Sequence, residues 1–221
     1  MKKSSEKLAN HKNKSAFSLL EMAIVIAILT LLATVGIVFT NSTNAETLKT
    51  NTDILTGFIE QARITAITSR AHIVLGIEEP ENRTTNDGRC RVAIFKIDEW
   101  PQQTTSPLIL KGRQLSRWQN LSTGIVLLGE EVDGVPNLID SEKVTIHYGG
   151  AKNLTTQIYT ISIHSRGGLQ YPLGSSPVLL RLAIGSYRDG IATPHKHGDL
   201  KQISENRLKI GRINARAYRI D

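Results

Sequence analysis

Aromatic residues are scarce in this chain of 221 residues, and cysteine is nearly absent. Phe, Trp and Tyr together make up 5% of the sequence, which argues against a surface that stacks on nucleic-acid bases. The single cysteine, Cys90, has no partner for an intramolecular disulfide, so the fold must depend on its hydrophobic core. Cys90 stands at the start of an apparent strand, and we expect a buried structural thiol there.

The sequence also lacks the familiar catalytic and nucleotide-binding motifs. It has no nucleophile elbow, no Walker loop, no Gly-x-Gly-x-x-Gly turn, no His-Glu-x-x-His and no paired cysteines. The adjacent carboxylates Glu78–Glu79 and Glu130–Glu131 fall in predicted turns, where we expect solvated side chains. His195 and His197 flank Lys196 in a loop whose ligand spacing is too loose for a defined metal site. We therefore expect no enzyme activity, no cofactor and no bound metal.

Positive charge is unevenly distributed along the chain, whose net charge is +7. Residues 1–16 hold five lysines and one glutamate, a net of +4, which leaves +3 for the remaining side chains. The basicity is therefore partly a property of the amino-terminal segment.

A long uncharged run, Met22 to Thr40, follows that basic segment, with Glu21 at its front edge. A helix from Met22 to Phe39 would be about 27 Å long, close to the roughly 30 Å hydrocarbon core of a bilayer. Basic residues ahead of a span stay in the cytoplasm, which predicts that the chain beyond Thr40 lies across the membrane. A secretory signal peptide, a plain signal anchor and a processed anchor are the three interpretations. The run is too long for the first and lacks its small-residue cleavage site.

The order of residues before the run resembles the leader of type IV prepilins and type II secretion pseudopilins. It reads Ala16-Phe17-Ser18-Leu19-Leu20-Glu21 after the lysines. The resemblance implies that a prepilin peptidase cuts between Ala16 and Phe17 and then methylates the new amine of Phe17. Ala16 replaces the usual glycine, which implies slower processing. Glu21 becomes the fifth residue of the mature chain, and the resemblance implies that it pairs with the Phe17 amine of a neighbouring subunit.

Beyond the run, the pattern predicts a continued helix and then strands. Apolar residues recur at steps of three and four, which is typical of one buried helical stripe; they are Leu48, Ile54 or Leu55, Phe58, Ile59, Ala62, Ala66 and Ile67. Extended segments separated by turn residues then predict strands at 72–77, 91–98, 108–110, 124–128, 143–148, 157–164 and 178–185, and a final hairpin of 207–210 and 215–220.

These elements predict an α+β chain, with a long amino-terminal α-helix packed on antiparallel β-sheets. Residues 48–77 and 158–185 resemble the H-type minor pseudopilins, the GspH/FimT group, which implies a type IV pilin-like fold. The expected parts are a basic prepilin leader (1–16), a transmembrane and assembly helix (17–40), its amphipathic continuation (41–70) and a β-rich globular domain with a basic tail (71–221).

The basic carboxyl-terminal tail suggests a second activity. Gly211-Arg212-Ile213 matches part of a Gly-Arg-x-Arg pattern found in relatives that serve DNA uptake, but Asn214 interrupts it. A strand would place Arg212 and Arg216 on one side, where they would contact phosphate. The alternative is a solvated or subunit-contacting tail.

The sequence as a whole predicts a structural minor pilin or pseudopilin. It would be stored as a single-pass protein of the bacterial inner membrane, with the domain in the periplasm, and assembled into a type II secretion pseudopilus or a type IV pilus. The resemblance implies four kinds of partner: the prepilin peptidase and N-methyltransferase, other pilins, an inner-membrane platform and an assembly ATPase. A DNA-binding minor pilin of a competence system and an unprocessed membrane-anchored domain remain as alternatives.

Overall fold

The computed structural model describes residues 19–80, 88–101, 107–150, 153–197 and 202–220, without the side chains of 31–43, 197 and 202. In these ranges one long helix, α1 (Leu19–Ser69), precedes fourteen strands and a 3-10 helix at Leu138–Asp140. The strands are β1 (His72–Glu78), β2 (Arg91–Ile97), β3 (Ile109–Gln114), β4 (Gln119–Asn120), β5 (Ile125–Leu128), β6 (Val144–Tyr148), β7 (Leu154–Ile163), β8 (Leu169–Tyr171), β9 (Val178–Arg188), β10 (Ile191–Pro194), β11 (Lys196–His197), β12 (Gln202–Ile203), β13 (Glu205–Ile210) and β14 (Ala217–Ile220).

The chain divides into two compact units, Met1–Thr43 and Asn44–Asp221. The second unit contains the later turns of α1 and every strand named above. Its helix followed by β-sheets confirms the predicted order of a helix and a β-rich region.

Within the second unit, α1 buries one stripe of side chains against the strands. The predicted apolar members Leu48, Leu55, Ile59, Ala62 and Ala66 are all buried, and Phe58 is half-buried. The stripe also contains polar residues that the sequence did not single out.

The predicted end of that stripe was wrong at Ile67, which is 41% exposed. Ile67 lies at the rim of the core, because its side chain packs on the turn at Gly167. Nearer the start of the stripe, Asn51 and Thr52 are buried at helical positions between Leu48 and Leu55.

Five strands of the second unit close into a small barrel. Neighbours follow the order β1–β2–β3–β6–β7, and β7 pairs with β1 to complete the ring. The prediction of purely antiparallel sheets was wrong, because β3 and β6 run parallel, with Ile109 opposite Thr145. A parallel pair needs a long connection; here the chain crosses to a second sheet, where it forms β5, before it returns as β6.

The strands of the barrel separate its own hydrophobic interior from the main hydrophobic core of the domain. Its interior is filled by residues such as Phe95, Leu110, Ile146 and Ile158. Gly76 belongs to the same interior, where a Cβ would overlap the side chain of Ile158. The outward residues of β1 and β2 belong to the main core with α1 and the second sheet. The outward residues of β3, in contrast, are exposed.

The second sheet has the order β10–β9–β13–β14, with β5 also paired to β9. The β13–β14 pair confirms the predicted final hairpin, with Arg207 opposite Ile220. The short strands β4, β8, β10, β11 and β12 were not predicted, and β3 continues past Leu110 to Gln114.

The prediction of solvated carboxylates at Glu78 and Glu79 was wrong, since they are 2% and 6% exposed. Arg91 pairs with Glu78, and the Thr156 hydroxyl donates to it at 2.8 Å. Lys143 Nζ lies 3.5 Å from Glu79 Oε2. Buried carboxylates must be paired in this way because desolvation of an unpaired charge is costly. Cys90 is buried as predicted.

Candidate functional site

The first turns of α1 expose apolar side chains on every side. Each side chain from residue 19 to residue 30 is exposed. A helix that is apolar all round is normally enclosed by protein or lipid. This segment therefore presents a surface suited to a partner less polar than water; its large apolar residues are Leu19, Leu20, Met22, Ile24, Val25, Ile26, Ile28 and Leu29, which are 48% to 92% exposed.

Glu21 is the acidic residue in the first turn of this helix. Its side chain is exposed among apolar neighbours. A carboxylate near a helix amino terminus is favoured by the helix dipole, typically by about 0.3–1 kcal/mol. That gain is small beside the cost of placing an unpaired carboxylate at the bilayer centre, about 2.5–3.5 kcal/mol. The pairing of Glu21 with the Phe17 amine of a neighbouring subunit stays a prediction.

The predicted cleavage and methylation residues, Ala16 and Phe17, lie outside the described residues. Among the side chains that are described, no helix is long and apolar enough to cross a membrane. The predicted span from Met22 to Phe39 extends into residues 31–43, where side chains are not described.

The structure places the two arginines of the predicted DNA contact on a turn, so the predicted strand geometry was wrong there. Residues 211–216 connect β13 to β14. Arg212 Nε donates to the Ser176 carbonyl at 2.9 Å, and Nη1 donates to the Pro172 carbonyl. Burial lowers the pKa of Arg212. Arg216 is exposed.

Nε and Nη1 of Arg212 already donate to backbone carbonyls, so a contact with phosphate through Nε would compete with the bond to Ser176. DNA contact by Arg212 and Arg216 stays a prediction. His195 is exposed, and across the described ranges no three His, Cys, Asp or Glu residues are grouped as metal ligands.

A polar contact that the sequence did not reveal fixes the position of α1 on the domain. The Ser122 N–H donates to Asn51 Oδ1 at 2.8 Å, and Asn51 Nδ2 donates to the Thr47 carbonyl. Asn206 Nδ2 donates to Thr52 Oγ1 at 2.9 Å. The available signal was positional, since residues 51 and 52 fall on the same helical face as Leu48 and Leu55.

Comparisons with known proteins agree with the amino-terminal pattern. Residues 11–37 match the family model described as the prokaryotic N-terminal methylation motif, and this range contains Ala16, Phe17 and Glu21. No curated protein matches the chain. A solved structure similar to it is that of the type IV minor pilin FimU from Pseudomonas aeruginosa, at 11% identity, over 83% of this chain and 92% of that chain, with a TM-score of 0.39. The motif match confirms the prepilin-type resemblance at residues 11–37: the chain carries a prokaryotic N-terminal methylation motif.

Proposed function

We propose that this chain is a structural minor pilin or pseudopilin, assembled through its amino-terminal helix into a type IV pilus or a type II secretion pseudopilus. One observation carries the proposal: the methylation motif coincides with a helical segment whose apolar side chains are exposed all round. A motif for amine chemistry and a surface that needs apolar neighbours are both requirements of an anchored filament subunit.

Processing would prepare this segment for assembly. Hydrolysis of the Ala16–Phe17 peptide bond by a prepilin peptidase removes five lysines and creates a new amine at Phe17. N-methylation of that amine by the same enzyme keeps its positive charge. The mature chain then begins with a cation four residues ahead of Glu21.

Assembly would exchange lipid for neighbouring helices around the same apolar surface. Lipid tails are as apolar as leucine, so apolar contact alone gives little preference for the filament over the membrane. A pair between Glu21 and the Phe17 amine of another subunit supplies that preference, because each charge would be desolvated without a partner. It also defines the axial register of the two helices.

The domain of residues 44–221 would be the part that the filament displays. Its buried Asn51 and Thr52 contacts hold the later turns of α1 in one position on the strands. The inner-membrane platform and the ATPase supply the work of extraction, and an inner-membrane anchor with a periplasmic domain is the stored form.

The mass of the amino terminus tests the proposal. The full chain, expressed with a prepilin peptidase, is expected to lose residues 1–16 and to begin at Phe17 with an added methyl group. Ala16→Leu is the matched control, because a bulky residue replaces the small one at the cut, and its leader should stay attached. An intact leader on the unmodified chain would contradict the proposal and favour an unprocessed membrane-anchored domain.

A further inference from the structure

A positively charged surface covers the side of the barrel that α1 leaves exposed. Alternation along β3 turns Lys111 and Arg113 outward, while Leu110 points into the barrel core. Lys96 of β2 stands directly opposite Arg113, and His147 of β6 stands opposite Lys111. We call these four residues, with the exposed Ile109, the basic face.

Carboxylates are scarce around the basic face. No Asp or Glu occurs in residues 100–129, which form β3 to β5, or in residues 143–188, which form β6 to β9. Residues 130–142 connect these two stretches. No ion pair involves Lys96, Lys111 or Arg113 within the part of the chain that the structure describes. Asp98 lies at the rim, where it borders an open depression together with Lys111 and His147. Like charges directly opposite each other destabilise a sheet, so the Lys96–Arg113 pair is unfavourable in an isolated subunit.

The connection between β5 and β6 is negatively charged. Residues 130–142 contain five acids and no Lys, Arg or His. We call this stretch the acidic segment. Glu131 and Asp133 are exposed, and Glu130, which lies 3.8 Å from Arg181, has a side chain that is 90% exposed.

The acidic segment is held in a defined conformation. Val132 and Val135 bridge across a tight turn at Asp133 and Gly134. The buried Asn137 donates to the carbonyls of Leu128 and Glu130 at 2.8 and 3.1 Å. A segment that is already ordered loses little conformational entropy on binding.

We propose that the acidic segment of one copy of this chain docks on the basic face of a second copy. Glu131 and Asp133 would approach Lys111 and Arg113, with Ile109 providing apolar contact at the edge. The two surfaces belong to different sheets, since the acidic segment follows β5 of the second sheet and the basic face belongs to the barrel. The complementary charges would relieve the repulsion between Lys96 and Arg113.

Such a contact is heterologous, because each copy uses a different surface on each side. Heterologous contacts that do not close into a ring propagate as open helical arrays. The inference therefore rests on the proposed filament function and adds a contact between domains to the contact between helices.

Self-association of the full chain with its leader, purified in detergent micelles that cover the apolar helix, tests this contact. Sedimentation velocity at about 20 mM salt is expected to show concentration-dependent association that is lost at about 500 mM salt, where charges are screened over a few ångströms. Arg113→Glu and Glu131→Lys should each weaken the association about tenfold or more, because each places like charges across the contact. Arg188→Glu, the same change at an exposed residue of β9 outside both surfaces, should change it less than about twofold.

Mixing the two variants provides the decisive measurement. Across one contact of an alternating array, the new carboxylate at position 113 of one variant would face the new ammonium at position 131 of the other. Across the next contact, the unmodified Arg113 and Glu131 would face each other, so an equimolar mixture should recover the association of the unmodified chain. Absence of association, equal effects of Arg188→Glu and Arg113→Glu, or failure of the mixture to recover would each overturn the contact.

The amino-terminal mass is independent of this contact. A chain processed at Phe17 that does not associate refutes the contact alone, and an associating chain with an uncut leader refutes the filament function alone.

Discussion

Individual polar residues, rather than apolar ones alone, position the helix on the domain. Leucine and alanine side chains at steps of three and four tolerate small shifts of α1, because apolar contact has no preferred direction. The hydrogen bonds of Asn51 and Thr52 have direction, and they join the helix to Ser122 and Asn206, which are far away in sequence. One register of the helix satisfies both contacts.

Replacement of Asn51 tests this role. Asn51→Ala removes the acceptor of the Ser122 N–H, a part-buried hydrogen bond, so the free energy of unfolding should fall by about 0.5–1.5 kcal/mol. Asp53→Ala, at an exposed position on the same turn of α1, should change it by less than about 0.5 kcal/mol. Urea unfolding of both variants followed by circular dichroism measures the difference, and equal stabilities would contradict the positional role of Asn51.

Ionisation of Tyr187 is expected to make the domain less stable at alkaline pH. Its hydroxyl accepts from the Leu127 N–H at 3.1 Å, lies 3.1 Å from Cys90 Sγ and donates to Glu79. Burial, with Cys90 and Glu79 nearby, raises the pKa of Tyr187 far above its ordinary value of 10.0. A raised pKa in the folded state means that the neutral phenol contributes stability below about pH 10 and that this contribution declines as the pH rises further.

The unmodified chain should therefore lose up to about 1.4 kcal/mol of unfolding free energy per pH unit above pH 10 because of Tyr187. Tyr187→Phe removes this ionisation, so its stability should be lower at neutral pH and should decline less steeply between about pH 10 and 11. Urea unfolding at several pH values gives both slopes. Parallel slopes for the two chains would show that Tyr187 ionises normally.

At the scale of elements, two glycines have opposite roles. Gly112 allows β2 and β3 to approach, because a Cβ there would overlap the Lys96 carbonyl oxygen and lie 3.1 Å from Ile97 Cα. Gly57 lies on an exposed part of α1 with nothing within 4 Å of a Cβ position. The first glycine is required by its neighbours, whereas the second only adds freedom to the unfolded chain.

Alanine at the two positions should move stability in opposite directions. Gly112→Ala is expected to destabilise the domain by about 1–3 kcal/mol, because backbone atoms of β2 must shift. Gly57→Ala should stabilise it by about 0.5–1 kcal/mol through its higher helix propensity. Thermal unfolding of the two variants side by side measures the signs, and a loss of stability in Gly57→Ala would contradict the open environment of that position.

The sequence predicted elements better than it predicted how they pair. Residues 72–77 and 178–185 are rich in β-branched and other apolar residues, which favour strands. Both segments form strands, because this signal is contained in the local sequence. The parallel pairing of β3 with β6 depends on the path of the chain between these two strands. The hydrophobic periodicity of each strand carries no information about that path. Burial of Asn51 was missed for a related reason: its partner, Ser122, is supplied by a loop far away in sequence.

The basic face illustrates the same limit at a surface. Lys96, Lys111 and His147 belong to three different strands, so only their register brings them together. The absence of acids from residues 143–188 was visible in the sequence, but which of those residues face solvent was not. At the amino terminus, in contrast, the informative residues are consecutive, and the methylation motif was recognisable without the fold.

At the scale of the whole molecule, the proposed role of Glu21 in assembly can be tested. Glu21→Ala would leave the Phe17 amine of a neighbouring subunit unpaired among apolar helices, so incorporation into filaments should fall at least about tenfold, equivalent to about 1.4 kcal/mol. Glu46→Ala removes an exposed carboxylate from the same helix and should incorporate normally. Quantitative immunoblotting of sheared filaments compares the two variants, and unchanged incorporation of Glu21→Ala would rule out the register role.

The closed ring of β1, β2, β3, β6 and β7 limits how subunits recognise each other. Strands with unpaired edges recruit other chains through backbone hydrogen bonds, which every sequence can form. Each of these five strands pairs with two neighbours over part of its length, so the ring leaves less unpaired backbone than an open sheet. Copies in the proposed filament should therefore recognise one another here mainly through side chains. Substitutions at the surface of the barrel can therefore change which subunits become neighbours while the backbone of the domain is conserved.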